Sequence, residues 1–335
     1  VDGSCDSQFL PVREALAANF ADRGEVGAAV CVAVNDRVVV DLWGGHADHA
    51  ATRPWQPDTL VNVFSIGKGM SAACVARLGL DPDGPVAAYW PEFGAAGKGA
   101  ITVAQVLSHQ AGLPAVRQRL PGDAMLDWNL MTSVLAAEEP WWPPGTAHGY
   151  HANTFGYLVG ELVRRVTGST LGRYLRSEIT GPLGADVHIG LPASEDHRVA
   201  EFHFPESFSF GAFGASEHPM EYNAYANPAG LSGIGVVNTR AWRAAEIPST
   251  NGHASARGVA RVYRMLAAGG RLDGRRFIDP GVLRRAVTEA VYGDDLVLHR
   301  PTRFGLGFQL TQPERPLGPG PGAFGHFGAG GSLGF

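Results

Sequence analysis

The chain has 335 residues, of which 45% are hydrophobic and 18% charged, and its formal net charge is −5. That is enough apolar material for one large core or two coupled ones. The charge offers no footprint for nucleic acid or for an anionic membrane surface.

The longest apolar runs, such as VGAAVCVAV over 26–34, stop well short of the roughly 20 residues that a membrane-spanning helix requires. A soluble protein is expected. Cys5, Cys31 and Cys74 are odd in number and lack CxxC spacing, so neither a disulfide framework nor a zinc site is expected. A reducing compartment fits. No basic and apolar leader precedes the first strand, which makes the cytoplasm the default expectation, although a removed leader would leave no trace.

In chain order, an amphipathic helix is predicted over Phe9 to Phe20, and GAAVCVAVNDRVVVDLWGG gives two β-rich runs joined by a hairpin at Asn35-Asp36. From Ser65 the pattern turns helical. ITVAQVLSHQ opens with Thr102 as an N-cap, and TFGYLVGELVRRVTG ends on Gly168 as a C-cap. Residues 181–227 read as a long irregular stretch that either walls a site or runs over the surface. GIGVVNT reads as a strand, ASARGVARVYRMLAAGG as a helix, and RFGLGFQL and GAFGHFGAGGSLGF as late strands joined by the turn-rich QPERPLGPGPG. The expected fold is α+β, with a sheet built from 1–62 and 230–335, a mainly helical lobe over 63–229, and a site in the cleft between them.

The stretch VFSIGKGMSAACVARL holds one of only two lysines in the chain. Residues three apart share a helix face, so the Ser65 hydroxyl and the Lys68 amine fall within reach of each other. That spacing suits a nucleophile and its base, because a serine hydroxyl attacks poorly until something takes its proton. Chance would produce about 0.1 Ser-x-x-Lys matches at this composition. The plain alternative is a solvated lysine at a helix end.

SIGK, with its flanks VNVFSIGKGMSAACVARL, resembles the Ser-x-x-Lys motif of the serine β-lactamase and penicillin-binding-protein superfamily, in its class C and family VIII carboxylesterase branch. ITVAQVLSHQAGLP, PPGTAHGYHANTFGYLVGELVRRVTG and GHFGAGGSLGF resemble later segments of that branch in order and spacing. The resemblance implies an antiparallel sheet flanked by helices, with Ser65 as the acylated nucleophile, Lys68 as its proton partner and Tyr150 as a second base. It implies an oxyanion hole from the backbone N–H groups of Ser65 and Ala329. The family's Tyr-x-Asn reads here Tyr150-His151-Ala152-Asn153, with Asn153 one residue late as a substrate-binding group, and Tyr157 is the alternative base. Where the family has Lys-Thr-Gly, this chain has His326-Phe327-Gly328. A neutral histidine holds a carboxylate poorly, so neutral esters become the expected substrates. Gly328 and Gly330 would let the strand approach the acyl group.

Trp141 and Trp142 either wall an acyl pocket or pack the lobe's rim. His148 and His151 either line the site or are solvated. His46 with His49, and His148 with His151, are spaced like metal pairs but lack a supporting carboxylate set, so no metal is expected. His109 is expected to fix a turn, and Trp242, Arg243 and Glu246 to pin a loop through an ion pair. Gly330 to Gly334 also fits G-x-S-x-G, but Ser332 leaves no room for a following acid and histidine. Members of the branch usually continue past the late strand with a further strand and a helix, and the link ARLGLDPDG is shorter than usual; a chain stopping at Phe335 would bare a sheet edge. The expectation is a cofactor-independent carboxylesterase acting on small-molecule esters through an acyl-enzyme, of undefined oligomeric state. A β-lactamase or D-alanyl-D-alanine carboxypeptidase, then an acyltransferase, then a silent binding protein on the same scaffold are the alternatives.

Overall fold

The two β-rich runs near the N-terminus pair as expected, β2 (Gly27–Val34) with β3 (Arg37–Gly45), and β1 (Asp2–Cys5) adds to the other edge of β3. In this computed structural model, which describes residues 1–35, 37–204 and 218–335, Val34 pairs with Arg37. Asn35 takes the left-handed φ of 55° that a two-residue hairpin loop demands; Asp36 lies outside the described residues. Helix α1 (Leu10–Asp22) lays Leu16 against Val40 and Leu42, two apart on β3.

Short strands β4 (Val61–Asn62), β5 (Val187–His188) and β6 (His253–Ala254) form a second ladder in the order β4-β6-β5. A small hairpin joins β7 (Arg271–Leu272) to β8 (Arg275–Arg276). The late strands β9 (Val291–Asp294), β10 (Pro301–Phe304), β11 (Gln309–Leu310), β12 (Phe324–Phe327) and β13 (Leu333–Gly334) form an antiparallel sheet in reverse chain order. Among the described residues no hydrogen-bonded pairing joins β1–β3 to β9–β13. Instead helix α10 (Ala256–Ala267), capped by Ser255, packs against both β2 and β13.

The helical lobe holds α2 (Ile66–Leu78), α3 (Val103–Leu107), α4 (Trp128–Ala137), α5 (Thr154–Thr167), α6 (Leu171–Leu175) and α7 (Gly181–Leu183). Thr102 caps α3 in a reciprocal capping box with Gln105, and Gly168 closes α5 at a φ of 70°. Helix α2 is buried from Ile66 to Ala76 and packs on α5 and α6. A helix enclosed on all sides carries no polar face, which is why its sequence is so rich in alanine and glycine.

Two readings of the later chain need correction. GIGVVNT is a run of turns, because Gly233 and Gly235 sit at φ values of 92° and 73° and Thr239 then caps α9 (Arg240–Ala244). The stretch 181–227 is less irregular than expected. It contains β5, a 3-10 turn over Ala193–Arg198 and helix α8 (Pro219–Ala226), with 205–217 outside the described residues. Helix α11 (Pro280–Ala286) follows the small hairpin. Among the described residues no helix is long and apolar enough to cross a membrane.

The second lysine is as buried as the first. Lys98 is fully enclosed, and its ammonium donates to the carbonyls of Ala95 at 2.9 Å, Ala136 at 2.9 Å and Glu138 at 2.5 Å, closing the carbonyl end of α4. Replacement by methionine would fill the volume and leave three carbonyls without a partner. Lys98→Met is expected to lower stability by about 2–3 kcal/mol in urea unfolding with an unchanged m-value. A loss too small to measure would show that those carbonyls find other donors.

Candidate active site

Ser65 stands at a forced bend. Strand β4 ends at Asn62 and α2 begins at Ile66, so the chain turns within three residues, and Phe64 adopts a φ of 47° that non-glycine residues rarely take. The Phe64 ring is locked in the core and against Phe202 at 4.8 Å, edge to face. Ser65 is the N-cap residue, yet its hydroxyl makes no capping bond and the residue is half-exposed amid buried neighbours. The oxygen is therefore free for chemistry.

Lys68 lies one turn on and is fully buried. Its Nζ contacts Ser65 Oγ at 3.1 Å, the Ala152 carbonyl at 2.6 Å and the Ser249 carbonyl at 3.2 Å. Burial pushes the amine well below the ordinary ammonium range. A neutral amine has two hydrogens and one lone pair: the two carbonyls take the hydrogens, and the lone pair is left for the Ser65 proton. Glycine makes this possible. A Cβ at Gly67 on α2 would strike the Pro248 carbonyl, and one at Gly156 on α5 would strike the Ser249 amide. The 248–249 segment is thus wedged between two helices, where the Ser249 hydroxyl also accepts from Gly156 N at 2.6 Å.

Tyr150 presents its ring to Lys68, with Nζ 4.7 Å from the centroid, and is nearly buried. Burial raises the phenol above its ordinary range, while a hydrogen bond with Ser65 pulls more weakly the other way. Desolvation outweighs its polar neighbours. In the resting protein it is a protonated hydrogen-bonding group, poised to give a proton before it takes one.

What holds Tyr150 was not read from the sequence. Asp295, buried just past β9, accepts through Oδ1 from the amides of Tyr150 at 3.0 Å, Val297 at 2.9 Å and Leu298 at 2.9 Å. Its Oδ2 accepts from the Thr302 hydroxyl at 3.0 Å. That hydroxyl's hydrogen is thereby committed, so His148 Nε2 is the donor in its 2.8 Å bond to Thr302 Oγ1. A single saturated carboxylate ties the tyrosine segment to the late sheet.

The strand β12 closes the site's other wall. His326 is buried with its ring 6.1 Å from that of Tyr150, and its Nδ1 donates to the Phe327 carbonyl at 2.7 Å. Burial lowers its pKa to about 3, so it is neutral. Gly328 is pressed against the Val63 carbonyl, where any side chain would clash, and the Ser332 hydroxyl donates to the same carbonyl at 2.9 Å. Ser332 therefore fastens the strand and forms no nucleophile elbow. Ser65 opens α2, and Ala329 opens the 3-10 turn Ala329–Gly331. Amides at the first positions of such turns have no acceptor within them and remain open to a ligand.

The remaining candidates have structural partners. Asn153 is buried, donates to the Ala224 carbonyl at 2.8 Å and Ser232 Oγ at 3.0 Å, and accepts from Thr250 at 2.6 Å, so it anchors α8 with every donor and its carbonyl engaged. Trp141 joins the cluster around Tyr150 and donates to the Ala115 carbonyl at 2.9 Å; Trp142 is buried edge-on to His151. Tyr157 is core, its hydroxyl donating to the Met125 carbonyl at 2.7 Å. His109 accepts from the His151 amide at 3.1 Å and fixes its turn at a φ of 63°. His148 and His151 are buried rather than solvated; His151 accepts from the Leu113 amide at 3.0 Å. The expected Arg243–Glu246 ion pair is corrected too. Glu246 accepts from Thr170 at 2.7 Å and the Gly172 amide at 2.8 Å, whereas Arg243 faces Asp196 at 3.4 Å and Trp242 donates to Asn62 at 3.0 Å.

Residues 12–335 match the family model described as Beta-lactamase. The esterase/beta-lactamase LipL of Mycobacterium tuberculosis is 38% identical over the whole of this chain and 80% of its own length. A crystal structure of a family VIII carboxylesterase superposes with a TM-score of 0.91 at 45% identity, over 99% of this chain and 89% of that one. A penicillin-binding protein homologue from Caulobacter crescentus gives 0.91 at 44% identity, over 98% and 87%.

Two outcomes are expected from this geometry. Asp295→Ala should lower ester kcat more than about tenfold, with a smaller change in KM, since the tyrosine is displaced rather than removed; equal kcat would release Asp295 from that role. The depressed values of His326, at about 3, and His151, at about 4, mean that the unfolded chain binds more protons than the folded one between those values and 6.5. Their stabilising neutrality is complete above 6.5 and is lost as pH falls through that window. Urea midpoints should therefore drop from pH 7.5 to pH 5, before most carboxylates titrate; a rising midpoint would contradict this.

Proposed function

Because the chain belongs to the β-lactamase family, we propose that it is a serine hydrolase cleaving carboxylic esters of small molecules through a covalent acyl-enzyme on Ser65. The observation that carries this reading is the fully buried Lys68 amine, held by two carbonyls with Ser65 Oγ 3.1 Å away. Lys68 accepts the Ser65 proton as Oγ bonds to the ester carbon. The amides of Ser65 and Ala329 receive the developing oxyanion, aided by the positive end of α2. Tyr150 gives its phenolic proton to the departing alkoxide and recovers one from the Lys68 ammonium. Water then attacks the acyl group with the same pair acting in reverse, releasing acid and restoring Ser65.

The neutral, buried His326 offers no charge to a carboxylate, which supports an ester uncharged at its reacting end. The similarity to a relative named as both esterase and beta-lactamase favours β-lactam cleavage as the second reading.

Brief exposure to p-nitrophenyl acetate should add one acetyl group to the intact mass of the wild type and none at that site in Ser65→Ala. Turnover of p-nitrophenyl esters should exceed that of nitrocefin; rapid nitrocefin cleavage with inert esters would reverse the order of the two readings. Lys68→Arg keeps a basic side chain but stays protonated and accepts no proton at working pH, so it should lose about 10²–10⁴-fold in kcat. For the wild type, kcat/KM should rise with pH along a limb lying well below the ordinary lysine value, because the deprotonated amine is the active form. An arginine variant that retains activity would remove Lys68 from the proton transfer.

A further inference from the structure

Arg315 sits half-buried in the loop between β11 and β12, its guanidinium 3.7 Å from the centre of the Phe327 ring. Phe327 lies between His326 and Gly328, and its amide is fixed by Gln309 Oε1 at 2.9 Å. The cation is therefore laid on the strand that walls the cleft. Among the described residues its side chain has neither a hydrogen bond nor an ion pair. Burial pushes the guanidinium below its ordinary range, with a smaller push from the like charge of Arg300. The adjacent acid is turned away, since Glu314 accepts from Tyr292 at 3.0 Å and Gln312 at 3.1 Å. Asp295 is saturated by Tyr150 and its other donors.

A partly desolvated cation with no carboxylate partner among the described residues is unfavourable until an anion joins it. The planar guanidinium fork fits a carboxylate, and its face stays stacked on an aromatic ring while its edge does so. The other basic group of this strand, His326, is neutral and enclosed. We propose that Arg315 forms an anion subsite beside the cleft that binds a carboxylate carried by the ester substrate away from the scissile bond. The inference rests on the reading of Ser65 as the acylated group for the identity of the ligand as an ester. The preferred substrates are then esters uncharged at the reacting group and anionic farther out.

The test compares wild type, Arg315→Met and Arg315→Lys on p-nitrophenyl butyrate, mono-p-nitrophenyl glutarate and 4-acetoxybenzoate, which place the carboxylate nowhere, on the acyl side and on the leaving group. The readout is the ratio of kcat/KM for each anionic ester to that for the neutral one, taken within one protein so that partial misfolding cancels. At least one ratio should fall by about tenfold or more in Arg315→Met, through KM, and recover in part in Arg315→Lys. Both ratios staying within about twofold in all three proteins would overturn the subsite. If no ester is hydrolysed by the wild type, the acyl-enzyme reading fails on its own. Calorimetric binding of glutarate and 4-hydroxybenzoate to wild type and Arg315→Met then decides the subsite: loss of affinity in the variant supports it, and equal or absent binding in both refutes it.

Discussion

Everything at the centre of this protein depends on keeping one amine dry. Lys68 collects a side-chain oxygen from its own helix, a carbonyl from the tyrosine segment at Ala152 and a carbonyl from the loop at Ser249. Those three segments are distant in sequence. An amine exposed to water would be protonated and would need none of them; an amine enclosed in protein must have its hydrogens satisfied and its charge suppressed. The close packing at Gly67 and Gly156 follows from that need, because the loop reaches Nζ only where both helices present no side chain. The strained Phe64 likewise serves to set the hydroxyl one turn before the amine.

The surrounding groups share a second theme, the replacement of charge by oriented neutral groups. Tyr150 is kept protonated and His326 neutral, and Asp295, the carboxylate that holds the tyrosine segment, is fully spent on amides and a hydroxyl. The electrostatic work near the reacting oxygen is thus left to backbone dipoles, which hold their positions without reorganising. Full charge returns at Arg315, laid over Phe327.

Much of this was legible in the sequence and some of it could not be. Ser65 and Lys68 follow from helical spacing and from the rarity of lysine, and the caps at Thr102 and Gly168 from local chemistry. The carbonyls of Ala152 and Ser249 carry no sequence signature, since every residue has one. Asp295 looked like any turn acid because its partners are amides brought close only by tertiary folding. GIGVVNT misled because alternating apolar residues resemble a strand until the left-handed glycines bend it. Asn153 and the tryptophans resembled site residues by position, but packing had already committed their polar atoms.

Both lysines are interior, so the outer basic side chains are arginines and histidines. A guanidinium stays protonated in water and does not take up acyl groups, whereas an exposed lysine amine reacts readily with activated esters. The described surface of this ester hydrolase therefore carries no lysine amine. Acyl groups set free at that surface would meet guanidinium and imidazole groups in place of lysine amines.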